Sequence, residues 1–554
     1  MSTEDNSIWT MAKVLKTERK PVPPIHGSAG RIVFTDEEKA EAFADSLQLQ
    51  CRTNITDAEL DHVETVENVV SAMMSSVPHS DDLIRQTTEA EIQRIIAGLR
   101  TRKAPGPDRI TNKMLKTLPD NAIAVLTGIC DGVLRLRHFP TRWKLATAIF
   151  IPKPGKDHKF PQNFRPISLL SSVSKIVEKI IHTRLSEFVS KYNLLPDEQF
   201  GFRPKHSTTD QLLRVVEFAN TSFEWKQVTG AVFLDISKAF DTVWHDGLVF
   251  KLRRAKIPLS MCQLIHSFLE LRSFQAKIGN AISQPKLLEA GVPQGSVLSP
   301  LLYAIYTADI PNSSRTTLAI YADDTAILTR SKHPQLATQY LQETVDLIED
   351  WCTTWLIKVN PEKSAALLIT RRHVHPSGHV RMFGREIPWE HQVKYLGVIL
   401  DTRLSFNEHV DHALKKGKMV LANLSSLLCS RSKMSIQNKL ILYKSVVRPS
   451  VTYASSVWAH APSPTKFYKM QTLQNKFLRC AFGAPWFVRN SQLHREANLP
   501  PLKEFLHEIS LRTLVKAESH PNRLVREALN YDENSSRYKR PKLALHLQSY
   551  SDNH

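Results

Sequence analysis

The segment from Thr317 to Leu328, which reads TLAIYADDTAIL, is the feature that most constrains how this chain can fold. Two apolar runs, Leu318–Tyr321 and Ala326–Leu328, flank the adjacent carboxylates Asp323 and Asp324. Apolar runs that meet at a tight polar turn predict a β-hairpin. The tip of such a hairpin presents its side chains to something outside the core.

Adjacent carboxylates are costly to hold together unless a cation neutralises them, because like charges repel. Carboxylate oxygens suit Mg²⁺, which binds through one or two carboxylates and the phosphates of a substrate. The alternative is that Asp323 and Asp324 are simply solvated residues of a turn, which is the commoner role of such a pair.

A second apolar run, Ala231–Leu234, predicts a buried strand that ends in Asp235. If this strand lies beside the hairpin, Asp235 and Asp323 could bridge two metal ions about 3.5–4 Å apart, which activate a hydroxyl and stabilise a leaving pyrophosphate. The alternative for Asp235 is an ordinary residue that terminates a strand.

The charge balance of the chain favours a polyanionic partner. Lysine and arginine total 73 against 54 acidic residues, a net charge of +19. Basic residues that neutralise phosphates release counterions and give affinity for any nucleic acid sequence, although the same excess would also keep a basic protein soluble. No run reaches the ~18 apolar residues that a membrane span needs. The six cysteines form no CxxC pair, so a zinc knuckle and a disulfide framework are not expected, and a reducing cytosol or nucleus fits.

Three ordered blocks carry a resemblance to a known family: LDISKAFD (Leu234–Asp241), GVPQGSVLSPLL (Gly291–Leu302) and YADD (Tyr321–Asp324). They resemble the A, B and C motifs of reverse transcriptases. Flanking blocks narrow the resemblance to the jockey-like non-LTR retrotransposons. These blocks are KAPGPD (Lys103–Asp108), IPKPGK (Ile151–Lys156), NFRPISLLS (Asn163–Ser171), EQFGFRPKHST (Glu198–Thr208) and KYLGV (Lys394–Val398).

The resemblance implies an α+β fold with the right-hand polymerase layout of fingers, a palm with an antiparallel sheet, and a helical thumb. We expect an N-terminal linker or extension over 1–87 and the fingers and palm over 88–401. A helical thumb and C-terminal region is expected over 402–510, followed by a polar tail over 511–554. The helix predicted over Val173–Tyr192 is expected to point Lys175, Lys179 and Arg184 outward.

Carried onto this sequence, the family's catalytic residues are Asp235, Asp323 and Asp324. Asp235 and Asp323 are expected to hold two Mg²⁺ ions, with Mn²⁺ also accepted by oxygen ligands, and Asp324 to assist metal binding. Lys363, in a block that resembles motif D, could protonate the leaving pyrophosphate as a general acid. The alternative is an exposed lysine in a turn.

The resemblance assigns Lys153 and Arg165 to the triphosphate of the incoming nucleotide, because cations offset its charge and a guanidinium grips it bidentately. The alternatives are a solvated turn lysine and a structural ion-pair partner. Phe240, five positions after Asp235, is expected to exclude a 2′-hydroxyl, unless it is simply a core residue. Gln294 and Gly295 are expected to contact the nucleotide and the template base.

Two further blocks are expected to contact nucleic acid. Arg203 and Lys205 lie beside aromatic residues, and such interleaving suits stacking combined with phosphate contact. Tyr395, Leu396 and Gly397 lie in a block that resembles the primer grip, a hairpin that presents its backbone to the primer end.

The implied activity is RNA-directed DNA polymerisation from a DNA primer, with dNTPs as substrates and a chromosomal nick as the primer in vivo. This chemistry would act in the nucleus after a cytoplasmic ribonucleoprotein stage. Complete elements usually carry an N-terminal endonuclease, for which this chain leaves no room, so the chain is expected to be a fragment, a truncated copy or dependent on a separate endonuclease. No RNase H domain, CCHC knuckle or membrane partner is expected.

Three alternatives remain open from the sequence alone. A truncated or co-opted copy could bind nucleic acid without polymerising. A template-independent nucleotidyltransferase would leave the template-facing blocks unused, and a basic scaffold protein would leave the order of the blocks unexplained.

Overall fold

The computed structural model describes residues 22–27, 30–55 and 59–528. The predictions of a linker before residue 22 and of a polar tail beyond residue 528 lie outside these ranges. Helices and mixed sheets together give the α+β class. No helix in the described ranges combines the length and apolar character needed to cross a bilayer.

The helices are α1 (Asp36–Gln50), α2 (Leu60–Ser75), α3 (Glu89–Ala97), α4 (Asn112–Leu115), α5 (Asp120–Leu136), α6 (Ser172–Lys191), α7 (Thr208–Glu224), α8 (His245–Arg254), α9 (Leu259–Leu269), α10 (Ser299–Tyr306), α11 (Pro334–Thr354), α12 (Asn407–Asn423), α13 (Ser425–Leu428), α14 (Ile436–Leu442), α15 (Arg448–Thr452), α16 (Ser455–Trp458), α17 (Pro464–Phe482), α18 (Asn490–Glu496), α19 (Leu502–Glu518) and α20 (Arg523–Ala528).

The strands are β1 (Ile25–His26), β2 (Ile32–Val33), β3 (Leu145–Pro152), β4 (Phe164–Leu169), β5 (Val228–Asp235), β6 (Ser273–Ile278), β7 (Ala281–Ile282), β8 (Lys286–Leu287), β9 (Thr316–Tyr321), β10 (Asp324–Ser331), β11 (Ala365–Ile369), β12 (Val380–Met382), β13 (Arg385–Ile387), β14 (Trp389–Glu390), β15 (Gln392–Tyr395) and β16 (Val398–Asp401).

The central sheet has the strand order β14-β11-β5-β10-β9, in which every pair is antiparallel except β11 with β14. Side chains alternate between the two faces of a strand, and those of β5 follow this rule. Val232 and Leu234 pack into the core that contains α11, whereas Ala231 and Phe233 pack into the core that contains α7. The central strands of the sheet are therefore buried between two helical layers.

A second sheet has the order β4-β3-β6-β7, with β8 also paired to β6. Helix α1 covers this sheet, because its apolar stripe of Ala40, Phe43, Ala44 and Leu47 packs among sheet residues such as Phe274. Helix α2 packs against α8. Much of the segment predicted as a linker or extension over 1–87 is thus folded onto the rest of the chain, so α1 and α2 fit the term extension rather than linker.

The C-terminal region is helical from α12 onward, as predicted. The predicted start of a polar tail at residue 511 is wrong, because α19 continues to Glu518. Helix α20 then packs on α7 and buries Val525.

Arg184 on α6 points inward, so the prediction that it faces solvent is wrong. Its Nη1 and Nη2 donate to Glu91 Oε1 and Oε2 at 2.8 and 2.7 Å, and Nη2 also donates to the Gln86 carbonyl. A bidentate partner satisfies the planar guanidinium, which allows an arginine to be buried. The pair ties α6 to the start of α3.

Candidate active site

The predicted hairpin is present, and its tip is a two-residue turn formed by Ala322 and Asp323. Tyr321 is the cross-strand partner of Asp324 at the base of this turn. Ala322 has a φ of +59°, which residues with a Cβ rarely adopt. Backbone strain of this kind persists only where surrounding contacts hold the conformation.

The strand β5 lies beside the hairpin, which is the condition that the sequence analysis set for Asp235 and Asp323 to share metal ions. Its register pairs Asp235 directly with Asp324, and Asp323 lies in the adjoining turn. The last residue of β5 is also held by the loop before β11. Asp235 N donates to Ser364 Oγ at 3.0 Å, and the Asp235 carbonyl accepts from Asn360 N at 2.9 Å. All three carboxylates are exposed at one end of the sheet.

The carboxylates of this turn are electrostatically coupled. Partial desolvation, followed by repulsion from Asp323 and Asp235, raises the pKa of Asp324 to about 6. The pKa of Asp323 is also raised, mainly by desolvation, and its next upward contribution is the Asp235 charge, while the cation of Arg165 lowers it. Ionising all of these groups therefore costs free energy that a bound cation would offset.

The donor set at this end of the sheet consists of carboxylate oxygens, which fits a hard divalent cation such as Mg²⁺ or Mn²⁺. Within the described ranges, no group of three or more His, Cys, Asp or Glu side chains is already converged enough to hold a metal ion. The ligand types therefore fit, whereas a two-ion geometry is not preassembled in these side chains.

Cationic side chains lie close to the end of the sheet that carries the three carboxylates. The pKa of Lys153 is lowered, first by burial and then by the charges of Arg165, Lys363 and Lys238. Lys153 Nζ also donates to the Gln162 carbonyl at 2.9 Å, whereas Arg165 is exposed. The three predicted cations thus lie within electrostatic range of one another. Sequence reasoning missed Lys238, although its position three residues after Asp235 was an available signal.

Gln294 is oriented by a buried carboxylate that the sequence prediction also missed. Gln294 Nε2 donates to Asp241 Oδ1 at 2.8 Å, and the Gln294 carbonyl accepts from Ser168 N at 2.8 Å. Burial raises the pKa of Asp241. These contacts join the predicted nucleotide-binding loop to the strand β4 that carries Arg165.

The loop that follows Gln294 is held from two sides. Gly295 has a φ of +134°, and a Cβ there would lie 2.4 Å from the Ser168 carbonyl oxygen, so only glycine fits. The buried carboxylate of Glu178 on α6 accepts from Ser296 Oγ at 2.6 Å and from Val297 N at 2.7 Å. Glu178 was not predicted, because nothing in its helix distinguishes it from a surface acid.

The ring of Phe240 is fixed between two other aromatic side chains. It stacks on Tyr303 with centroids 4.6 Å apart and an interplanar angle of 22°. It also makes an edge contact with Phe202 at 5.9 Å. Phe240 remains partly exposed, which is consistent with a ring that could meet a ligand.

The two blocks predicted to contact nucleic acid differ in what they expose. Arg203 Nη1 donates to the Pro196 carbonyl at 2.8 Å, so this guanidinium is engaged within its own loop. Lys205 is exposed and has a φ of +66°. The structure therefore leaves the Lys205 side chain, rather than Arg203, available to an outside partner.

The KYLGV block forms the hairpin of β15 and β16, with Leu396 and Gly397 in the turn at φ values of +44° and +85°. The side chains of Tyr395 and Leu396 are buried, and Tyr395 Oη donates to the Ala319 carbonyl of β9 at 3.0 Å. Tyr453 Oη donates to the Leu396 carbonyl at 3.0 Å. This hairpin can thus offer backbone atoms but not its tyrosine or leucine side chain.

Comparison with known proteins shows a match to one family model over these elements. Residues 151–400 match the family model described as reverse transcriptase (RNA-dependent DNA polymerase). The matched range begins in β3 and ends in β16, so it contains the central sheet and every predicted catalytic residue.

Three curated relatives from Drosophila melanogaster match nearly the whole chain. The RNA-directed DNA polymerase from mobile element jockey is 36% identical over 94% of this chain and 57% of its own length. The probable RNA-directed DNA polymerase from transposon BS is 35% identical over 94% of this chain and 58% of its own length. The corresponding protein from transposon X-element is 36% identical over 96% of this chain and 58% of its own length. The chain thus spans somewhat more than half the length of these relatives.

Proposed function

Through residues 151–400, this chain belongs to the reverse transcriptase (RNA-dependent DNA polymerase) family, and from that membership we propose that it is an RNA-directed DNA polymerase. It would extend the 3′-hydroxyl of a DNA primer with dNTPs on an RNA template. The observation that carries the proposal is the register that pairs Asp235 with Asp324 beside the turn that holds Asp323.

In the proposed layout, the central sheet is the palm and the sheet of β3 and β4 forms the fingers, within residues 88–401. The helices of 402–510 form the thumb and the C-terminal region. The position of Arg165 on β4, across from the carboxylates on β5 and β10, supports this division, because a nucleotide could lie between the two sheets.

The carboxylates of Asp235 and Asp323 would hold two Mg²⁺ ions, or Mn²⁺ in their stead, with Asp324 assisting. Ions of this kind lower the pKa of an attacking hydroxyl and offset charge on a leaving pyrophosphate. The carboxylates of the chain itself orient the reacting groups, and the hydrogen bond from Asp235 N to Ser364 Oγ fixes the backbone that carries the first of them.

The triphosphate would be held by Lys153 and Arg165, with Lys238 as a further cation beside them. Lys363 would donate a proton to the leaving pyrophosphate. The support is electrostatic, since the charges of Arg165, Lys363 and Lys238 all lower the pKa of Lys153. A cluster of cations that repel one another binds a polyanion favourably.

The sugar and the base of the nucleotide would be selected by a second group of residues, separate from these cations. Phe240, stacked on Tyr303, would meet the position of a 2′-hydroxyl and leave room for deoxyribose. Gln294, oriented by Asp241, and Gly295 would contact the nucleotide and the template base.

The polynucleotide partners would be an RNA template and a nicked DNA target, in keeping with the net charge of +19. Arg203 and Lys205 belong to the template side, with Lys205 as the cation that can reach a phosphate. Tyr395, Leu396 and Gly397 would offer their backbone to the primer. We propose that the enzyme acts in the nucleus after a cytoplasmic ribonucleoprotein stage, and that a separate endonuclease makes the nick.

Primer extension tests the proposal. The purified chain is incubated with a DNA primer annealed to RNA, dNTPs and Mg²⁺, beside the Asp323→Asn variant and a reaction without template. Template-dependent extension that disappears in the variant is expected. Tight, salt-sensitive binding of the primer–template by a folded protein without extension would overturn the enzymatic proposal and leave a nucleic-acid-binding protein.

A further inference from the structure

A segment from another part of the chain supports the carboxylate turn. Ile320 N donates to the Glu198 carbonyl at 3.1 Å, and Phe200 N donates to the Ile320 carbonyl at 2.9 Å. Residues 198–200 therefore pair in parallel with the end of β9, immediately before the turn. This pairing brings Gln199 and Gly201 against Ala322.

The side chain of Gln199 makes the decisive contacts. Its Oε1 accepts from Ala322 N at 3.2 Å and from Gly201 N at 2.8 Å. Both contacts come from N–H donors, so the carboxamide oxygen must face them. Gln199 is 1% exposed, and water cannot replace it as the acceptor for the Ala322 amide.

The same carboxamide leaves a donor unsatisfied. Gln199 Nε2 is buried and has no hydrogen-bond partner among the residues that the structure describes. An unpaired buried donor costs free energy, and the Ala322 backbone carries a further cost at its φ of +59°. An amide held at such cost against a strained turn is typical of a functional site rather than of simple core packing.

Gly201 shows how closely the supporting segment approaches the turn. A Cβ at this position would lie 2.2 Å from Ala322 N and 2.9 Å from Ala322 Cα. Since those atoms are backbone, they cannot move aside without moving Asp323, the next residue. Unlike Ala322, Gly201 does not adopt a left-handed φ, so a substitution there acts through this collision.

We propose that Gln199 is a positioning residue that fixes the Ala322 backbone and thereby sets Asp323 in the orientation that binds the divalent cation. This inference rests on the proposed function. Without the carboxamide oxygen, Ala322 can relax from its strained conformation, which turns the Asp323 carboxylate away from Asp235. The cation should then bind more weakly, while the primer–template surface is unchanged.

Gln199→Met tests the proposal, because it keeps the volume of the side chain and removes the acceptor. Gln211→Met is the matched control. Gln211 is also fully buried, and its Nε2 donates to the carbonyls of Ile320 and Glu198, but none of its hydrogen bonds among the described residues goes to Ala322 or Gly201. It therefore supports the strand pairing but not the turn.

Two readouts are measured: the half-saturating Mg²⁺ concentration in primer extension, and the Mg²⁺-induced rise in Tm with a dideoxy-terminated primer–template and dNTP. Gln199→Met should raise the half-saturating Mg²⁺ concentration in primer extension about tenfold, as expected for one buried hydrogen bond. The Mg²⁺ concentration at the midpoint of the Tm response should rise by the same factor. The Kd for the primer–template should not change. Gln211→Met should lower Tm without altering either Mg²⁺ dependence.

Gly201→Ala is the second variant and keeps the test decisive if Gln199→Met does not fold. Its control is Gly128→Ala on α5, where no atom lies within 4 Å of the added Cβ. Gly201→Ala should weaken the Mg²⁺ response and Gly128→Ala should not. An unchanged Mg²⁺ dependence in both test variants, or an equal change in Gln211→Met, would overturn the role of Gln199. A wild-type chain that fails to extend primers would instead refute the proposed function, and the Tm response would still report on Gln199.

Discussion

Asp235 and Asp324 are direct cross-strand partners in the antiparallel pairing of β5 and β10. Side chains of such a pair lie on the same face of a sheet, with their Cβ atoms about 4.5–5.5 Å apart. Asp323 follows Ala322 in the turn between β9 and β10, so the sheet end gathers three carboxylates from two strands and a turn. Their repulsion is the physical reason for expecting a cation here.

Replacement of these carboxylates should affect chemistry more than binding. Asp235→Asn and Asp323→Asn should each lower kcat at least ~10³-fold, because each removes charge that holds a metal ion. Asp324→Asn should lower kcat less. The Kd for the primer–template should stay within about twofold of the wild-type value in every variant.

Asp350→Asn, an exposed residue on α11, is the matched control for these substitutions. Single-turnover extension and filter binding measure the two quantities separately. Wild-type kcat in Asp323→Asn would contradict the assignment of this turn as catalytic.

The raised pKa of Asp324 predicts how cation binding depends on pH. Because its pKa is about 6, a proton competes with the cation below pH 6 and is already lost above pH 7. The Mg²⁺ concentration at the midpoint of the Tm response should therefore rise up to about tenfold per pH unit below pH 6. It should be level above pH 7.

Titrating Mg²⁺ into the dideoxy-terminated complex from pH 5 to pH 8 measures this dependence without relying on catalysis. In Asp324→Asn the dependence near pH 6 should be reduced. Without metal, the free energy of unfolding depends on pH in the opposite direction to cation binding. A carboxyl whose pKa is raised by folding stabilises the protein at low pH, and that contribution is lost as pH rises through 6.

The sequence predicted the parts of the site that are local. The hairpin of β9 and β10 and the strand that ends at Asp235 follow from apolar runs that end in carboxylates. The register could not be predicted, because the pairing of Asp235 with Asp324 rather than Asp323 depends on how distant strands align. The nucleotide-binding residues were predicted from the family resemblance alone. Local sequence patterns would have assigned them as ordinary structural or surface residues.

The residues that sequence reasoning missed act through contacts between distant segments. Glu178 lies at an unremarkable position of its helix, and Gln199 and Asp241 lie in two of the quoted blocks without a role assigned to them. Only the folded structure shows that all three are buried. Arg184 was assigned to the surface for the same reason, since helical periodicity cannot reveal a partner such as Glu91. Buried polar pairing is a tertiary property, and it accounts for most of these errors.

Removal of the Arg165 guanidinium should weaken nucleotide binding. Arg165→Gln should raise the KM for dNTP about ten- to a hundredfold, because a charge-assisted contact to the triphosphate is lost. It should also raise the pKa of Asp323 further, since the Arg165 cation lowers that pKa. Arg142→Gln, an exposed residue just before β3, is the control. Steady-state kinetics at saturating Mg²⁺ measure this KM, and an unchanged KM would contradict the assignment.

The Arg184–Glu91 pair should matter for stability and not for chemistry. Arg184→Met leaves the Glu91 carboxylate without its main partner, which should lower the free energy of unfolding by about 3 kcal/mol. Arg184 holds the pKa of Glu91 below its ordinary value of about 4.5. A carboxylate with a lowered pKa stabilises the fold above that value, and the contribution is lost as pH falls below it.

Urea unfolding at pH 7 and at pH 4 measures both effects. The wild-type protein should lose more stability between these values than Arg184→Met does. Lys179→Met, an exposed residue of the same helix, should behave like the wild type, and an equal loss there would contradict the role of the pair.

The stacking of Phe240 on Tyr303 should set how strictly deoxyribose is selected. Phe240→Val removes the ring that would clash with a 2′-hydroxyl, and it should raise the ratio of ribonucleotide to deoxyribonucleotide kcat/KM about 10–100-fold. Tyr303→Leu should raise the same ratio by a smaller factor, because Phe240 loses the ring on which it stacks at a centroid distance of 4.6 Å.

Tyr303→Phe is the matched control. Tyr303 Oη has no hydrogen-bond partner among the described residues, so removing it keeps the stack and should leave selectivity unchanged. Competition between dNTP and rNTP on one RNA template measures each ratio, and wild-type selectivity in Phe240→Val would exclude a role for this ring in choosing the sugar.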